Sequence, residues 1–429
     1  MTPFEQIEKS ATTPAAPAAA REPRSAVLSV TRRYYCVWGF YAFAPSFIFA
    51  IYPLFLRSRG LNQFQVNTVA GTYFLVTFLT DVPTGAFADA IGRRVSVVLG
   101  CALHAAAFIL YFYSYHYWHF IVAEIIDGVA TTFGNGAIDA WAVDALDAAG
   151  FEGAKDRIFS RVAQIFRVGA MTGALAGAYV GRFDLATPFM FGAIGWIVAG
   201  AVGLMLMDGR AHAAAKFSIR SSAAEVRRRM VDGTRIGFST RAVRLMAVAS
   251  LISAAAWAPY WQEWQPYFRA QLGSGVEVIG WIFVCFSLAQ IAGAQIVNWM
   301  PWAWEQRAVY LTVATAISSA ALIAGGLAAH SPALAFAMFM LAQFTAAAAG
   351  PVYQSWFNEQ IDGDNRATLL SFGSTFATFG ATAGLPVQGL IVDAAGVGAA
   401  WQGAGLLAML QVPVYLALRR KPVSDTPPL

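Results

Sequence analysis

The chain has 429 residues, of which 58% are hydrophobic and only 12% charged, with a formal net charge of +5. Soluble domains carry roughly 25% charged residues, so a share this low over such a length excludes an ordinary soluble enzyme or binding domain. The basic residues are scattered through short segments between apolar runs and form no patch interleaved with aromatics, which argues against a nucleic-acid partner.

Read from the N-terminus, residues 1–32 are biased to Ala, Pro and Thr and are expected to form a disordered cytoplasmic tail. No apolar core follows a basic start there, so the segment does not read as a cleaved signal peptide. A spanning helix needs about 20 apolar residues. By that measure six spans precede the middle of the chain, at 33–56, 63–87, 94–114, 118–143, 158–181 and 185–207. They make an N-terminal bundle over 33–207. Residues 208–242, which include the basic run "AEVRRRM", form a cytoplasmic linker. Six more spans follow at 243–268, 276–299, 306–328, 332–357, 366–392 and 398–418, making a C-terminal bundle over 243–419 and a short cytoplasmic tail over 420–429. The expected fold is an all-α membrane protein of twelve transmembrane helices in two pseudo-symmetric six-helix bundles.

Basic residues set the orientation. With the linker in the cytoplasm, Arg93, Arg94, Lys155, Arg157, Arg307, Arg366 and Arg419 fall on the same side, whereas the opposite loops hold only Arg57, Arg59, Arg182 and Arg269. The positive-inside rule then puts both termini in the cytoplasm, in a bacterial-type inner membrane. The halves also echo each other: "YPLFLRSRGL" (52–61) closes the first span and "QPYFRAQLGS" (265–274) the seventh. In both, Pro is followed by Phe two residues on and Gly seven residues on, which points to internal duplication. Cys36, Cys101 and Cys285 lie inside apolar segments with no CxxC spacing, and support neither a disulfide framework nor a metal site.

Between the second and third spans lies "DVPTGAFADAIGRRVSVV" (81–98). This stretch resembles the signature loop between helices 2 and 3 of the major facilitator superfamily, with Gly85, Asp89, Gly92, Arg93 and Arg94 at matching positions; Phe87 and Ala90 depart from the pattern. Gly85 is expected to allow close helix approach and Gly92 a tight turn. The resemblance implies that Asp89 approaches the start of helix 11 near residue 366. It also implies that Arg93 meets an acid at the end of helix 4, either Asp139 or Asp144. Such a cluster would act as a conformational latch between the bundles. The plainer alternative is that the arginines only fix topology.

An ionisable group inside the hydrocarbon costs at least about 2.5–3.5 kcal/mol, so each one needs a reason. The fourth span holds Glu124 and Asp127, three apart and so on one helix face, with Asp127 about 13–15 Å below the outer surface. The resemblance implies that helices 1, 4, 7 and 10 line a central cavity. Two carboxylates facing it would not both ionise cheaply, which suits proton coupling. Arg167 of the fifth span, at similar depth, is a candidate partner for Asp127. The fifth span also carries "GAMTGALAGAYVG" (169–181), which resembles an antiporter signature in Gly169, Gly173 and Gly177 but has Ala174 in place of its Pro. In the seventh span, Tyr260, Trp261, Gln262 and Glu263 are cavity candidates, with an interfacial aromatic belt as the alternative for the aromatics. Gln343 of the tenth span joins them, with Tyr353 and Gln354 weaker. His104, on a span expected to be peripheral, reads as a packed neutral side chain.

No P-loop, HExxH or GxSxG pattern is present, so neither an ATP-driven pump nor an intramembrane hydrolase is indicated. The expectation is a secondary active transporter, not an enzyme, with no cofactor. It would act as a monomer in the lipid bilayer, with protons and a small molecule as its partners. Proton-coupled export of an amphipathic drug or metabolite leads; proton-coupled uptake of a nutrient or organic acid remains open.

Overall fold

The structure is a computed structural model and describes residues 21–134, 136–209, 241–359 and 366–419. Among these, α1 (Arg21–Ser46), α2 (Tyr52–Ser58), α3 (Gln63–Ile91), α4 (Arg93–Tyr113), α5 (Tyr117–Gly134), α6 (Ala137–Ala148), α7 (Asp156–Gly181) and α8 (Thr187–Leu206) form the first bundle. The second consists of α9 (Arg241–Leu272), α10 (Val276–Ile296), the short α11 (Pro301–Glu305), α12 (Arg307–Leu327), α13 (Pro332–Glu359), α14 (Arg366–Met409) and α15 (Gln411–Arg419). No strand occurs among the described residues. The first helix begins at Arg21, ahead of the boundary expected at residue 33; residues 1–20, most of the linker (210–240) and the tail from 420 lie outside the described residues.

Twelve spans account for these elements. Among the described residues, eight stretches are long and apolar enough to cross a membrane, and the last of them, Phe372–Arg419, takes in parts of spans eleven and twelve. Gly396, with φ +85°, turns the chain between those two inside α14. Breaks or polar residues interrupt the first, fourth and fifth spans.

The breaks have local causes. Pro45 lies at the end of α1 and Pro53 opens α2, so the first span bends between them. The fourth span is interrupted between α5 and α6, where Gly136 sits at φ +72°. Gly134 there accommodates Tyr41, since a Cβ would lie 1.9 Å from the Tyr41 hydroxyl oxygen. The second span starts on a capping box: Asn62 accepts the Gln65 amide at 2.8 Å, and the Gln65 side chain accepts the Asn62 amide at 3.1 Å.

The two halves reuse the same packing device. Gly173 and Gly177 let α7 press onto the α1 bend; a Cβ would come within 1.7 Å of Ser46 Oγ and 1.8 Å of the Phe47 carbonyl oxygen. In the second half Gly380 and Gly384, also four apart, bring α14 onto α9, where added Cβ atoms would lie 2.2 Å from the Leu251 carbonyl oxygen and 2.5 Å from that of Ala255. The sequence echo has a conformational counterpart as well. Gly60 and Gly273 adopt φ of +87° and +56°, and Phe55 and Phe268 are both buried. Gly85 departs from expectation. A Cβ there would meet nothing within 4 Å, so it mediates no close helix contact.

Adding a methyl at Gly177 forces two backbones apart, a change no rotamer can absorb. Gly177→Ala is expected to cost about 1–3 kcal/mol, read as a lower unfolding temperature in detergent. Gly403→Ala, where a Cβ meets nothing within 4 Å, should leave the unfolding temperature unchanged or raise it slightly.

Candidate functional site

Where the bundles face each other lies a cavity of about 540 Å³. Its walls are largely aromatic. Tyr34, Trp38, Phe159 and Phe166 come from the first bundle, Trp261 and Phe283 from the second, and Ser287 and Gln290 add polar edges on α10. Two charged groups line it. Asp139, brought in by the start of α6, accepts the Tyr34 hydroxyl at 2.7 Å and the Trp38 indole N–H at 2.8 Å, both on one oxygen. Arg167, on α7, is exposed to the cavity. It forms no hydrogen bond or ion pair among the described residues. A second cavity of about 690 Å³ lies between α1 and α7, lined by the first bundle alone.

The carboxylates of the fourth span sit elsewhere. Glu124 is 7% exposed and turns into its own bundle, where it accepts the Tyr111 hydroxyl in a short hydrogen bond and the Tyr52 hydroxyl at 3.3 Å. Asp127 bonds His104 Nδ1 at 2.7 Å. This corrects the expected pairing with Arg167, because α4 presents His104 to Asp127 while Arg167 points into the cavity. The His104 ring stacks on Trp196 with centroids 3.9 Å apart and planes 7° apart. His104 Nε2 is buried and has no hydrogen-bond partner among the described residues. Neither carboxylate is among the residues lining the cavity, although the three-residue spacing does put both on one side of α5.

Of the five residues expected in a substrate cavity, Trp261 alone lines it. Tyr260, Glu263 and Gln343 are 1%, 2% and 4% exposed. Tyr260 packs edge-on against Phe339 at 5.1 Å, and Glu263 lies beside Asn67 and Trp401. The aromatic-belt alternative also fails for Tyr260 and for Trp264, which is fully buried against Phe286. Tyr353 is tied to α9, with its hydroxyl bonded to Ser250 at 2.7 Å and to the Met246 carbonyl at 2.8 Å, while Gln354 is exposed.

At the end remote from the linker the bundles are joined by polar contacts. The Asp393 carboxylate, near the end of the eleventh span, accepts the backbone amides of Gln63 at 3.0 Å and Phe64 at 2.8 Å, the first residues of α3. A carboxylate on a helix N-terminus meets both unpaired N–H donors and the positive end of the helix dipole. Gln63 Nε2 reaches the Gln262 carbonyl at 3.0 Å, and Asn67 Nδ2 the Leu385 carbonyl at 2.9 Å. Trp281 Nε1 donates to the Tyr179 hydroxyl at 3.3 Å. Sequence reading missed Asp393 and its partners. The available signal was a lone acid just before the glycine that separates the last two spans.

At the linker end, Gly92 has φ +105° and ends α3, as the tight turn requires. Arg93 forms an ion pair with Asp144, which resolves the two candidates. Asp139 is drawn instead to Tyr34 and Trp38. Asp89 is exposed; its expected neighbours, the side chains at the start of the eleventh span, lie outside the described residues.

A family model described as the Major Facilitator Superfamily matches residues 35–260 and 246–429. Among solved structures, the human organic anion transporter MFSD10 (TETRAN) is 14% identical, covering 91% of this chain and 99% of that one, with a TM-score of 0.64. The nucleoside transporter NupG is 14% identical over 91% of this chain and 98% of that one, with a TM-score of 0.68. A POT family transporter in complex with 5-aminolevulinic acid is 12% identical over 91% and 96%, with a TM-score of 0.70. At these identities the likeness is one of fold. None of the curated protein sequences compared with the chain matches it.

Removing the Asp393 carboxylate should loosen the remote end. In a cysteine-free background, Leu385→Cys reports on that interface, since Leu385 is fully buried there. Asp393→Ala is expected to raise its rate of maleimide labelling several-fold; an unchanged rate would mean the contact does not hold the end shut.

Proposed function

Because the chain belongs to the major facilitator superfamily, we propose that it exports a small amphipathic organic compound in exchange for protons, by alternating access. Membership makes it a multi-pass membrane transporter and not an enzyme. The observation that carries the reading is a cavity between the bundles, lined largely from the linker-side halves of α7 and α10, with polar contacts joining the bundles at the other end. With the basic residues placing the linker in the cytoplasm, this is an inward-open state. In the opposite state the Asp393 contacts part, and the Gly85–Arg94 loop closes the cytoplasmic end as the latch, with Arg93 and Asp144 holding its shape.

Protons are assigned to α5 and its neighbours. Asp127 with His104, and Glu124 with Tyr52 and Tyr111, form two hydrogen-bonded groups that exchange protons inside the first bundle. They sit beside the cavity and not in it, so proton and substrate occupy separate sites and communicate through the position of the helices. Export is favoured over nutrient uptake by the aromatic walls, which suit an amphipathic ring compound better than a polyhydroxylated nutrient. The glycines of the fifth span support direction less than their sequence pattern implies, because α14 uses the same spacing to pack on α9.

Everted membrane vesicles energised to a proton gradient and loaded with a pH-sensitive fluorophore test this directly. Addition of amphipathic drugs and metabolites should release the gradient for at least one compound with wild type, and about tenfold more slowly with Asp127→Asn or Glu124→Gln at equal expression. Proton movement unaffected by both substitutions would remove the α5 carboxylates from coupling. Absence of any compound-dependent proton movement would overturn proton-coupled export.

A further inference from the structure

We propose that Arg167 is the anion-binding group of the central cavity and that the transported compound is a planar organic anion, its carboxylate or similar oxyanion seated on the guanidinium and its ring between Trp38, Phe166, Trp261 and Phe283. The inference rests on the transporter reading above and specifies its substrate class.

The first ground is the missing partner. Arg167 lies about 16 Å along α7 from Asp156, deep in the membrane span, and is exposed to the cavity. Cations at such depth are expensive; they pair with an acid or a carbonyl, or face a water-filled cavity and mark a substrate or ion pathway. Three acids of the first bundle are engaged elsewhere: Asp127 by His104, Glu124 by two tyrosines, Asp144 by Arg93. Asp139 lines the same cavity, yet its bonded oxygen is turned to Tyr34 and Trp38. Five N–H donors of one guanidinium therefore face the cavity with no protein acceptor, a demand that a planar oxyanion meets in bidentate fashion.

The second ground is shape and surface. The volume of about 540 Å³ falls in the range of small-molecule sites, roughly 300–1,000 Å³. Aromatic side chains come from both bundles, so a ring held between them touches both halves at once. Such a ligand links the bundles where they must move, which is the requirement for a transported compound. Ser287 and Gln290 on the opposite wall supply hydrogen bonds at the ring edge without adding charge. A cationic ligand fits poorly. Arg167 repels it, and the one acid in the cavity already accepts two donors.

Matched naphthalene probes separate these chemistries: 2-naphthoate, neutral 2-naphthol and cationic 2-naphthylmethylammonium. Binding to the full-length chain in nanodiscs is measured for wild type, Arg167→Gln and Arg167→Lys, each checked for unfolding temperature. Naphthoate should bind wild type most tightly. Arg167→Gln should weaken it about tenfold or more, and Arg167→Lys by less, since a lysine keeps the charge but not the bidentate geometry. Naphthol should be indifferent to the substitutions, and the ammonium should bind Arg167→Gln at least as well as wild type, because the repelling charge is gone. Preference for the alcohol or the ammonium, no naphthoate binding, or wild-type affinity in Arg167→Gln would overturn the assignment. If Arg167→Gln does not fold, the comparison of wild type with Arg167→Lys decides, and equal affinity overturns it. Flux in proteoliposomes keeps the two readings apart. Naphthoate binding lost with Arg167 but never linked to protons rejects the coupling and keeps the site. Proton-linked flux insensitive to Arg167 rejects the site and keeps the coupling.

Discussion

Two backbone amides at the start of α3 are held by a carboxylate from the other bundle and join the two halves at the end remote from the linker. Within a bilayer, polar groups left without partners cost several kcal/mol, so helix ends there are satisfied by protein or by water in a cavity. Asp393 satisfies Gln63 and Phe64 across the gap between the bundles, and Asn67 and Gln63 extend the contact to the Leu385 and Gln262 carbonyls. Each of these bonds can be exchanged for water when the end opens. A carboxylate on a helix N-terminus contributes about 0.3–1 kcal/mol, up to about 2 in partly buried sites. That magnitude suits a switch: enough to bias two states, too little to lock one.

Within each half, close packing joins neighbouring helices. Glycine pairs four apart draw α7 onto α1 and α14 onto α9 in the two halves, and fused backbones of this kind move as units. Polar groups that do not serve the interface are consumed inside a bundle. His104 is clamped between Asp127 and Trp196, and Glu124 between tyrosines. What remains open is a cavity with aromatic walls and a single cation that lacks a partner.

The spans were legible in the sequence because membrane insertion imposes a simple rule on composition, and their ends agree with the helices to within a few residues for most of them. The turn at Gly92 was legible because the chain reverses there between two charged stretches. Which way each polar side chain faces was not. Glu124 and Asp127 do share a side of α5, but that side is turned toward α4 and α2, and the break at Gly136 instead swings Asp139 into the cavity. Tyr260 and Glu263 read as a cavity mouth because aromatics and amides alternate there; in the fold they are packed against Phe339, Trp401 and Asn67. The choice between Asp139 and Asp144 for Arg93 depended on that same break, which periodicity alone does not reveal. Asp393 acts only across a sequence separation of 330 residues, beyond any local pattern.

The central claim is that closing one end and opening the other are a single rigid-body event. Spin labels at Tyr115 and His330 span the remote end, and labels at Asp156 and Glu305 span the linker end, all four positions being exposed. Pulsed electron–electron distances in lipid, with and without Asp393→Ala, measure both ends in one molecule. Lengthening of the remote pair with matching shortening of the linker pair is the expected result. Independent movement of the two ends, or a remote end that opens while the linker end stays open, would contradict it.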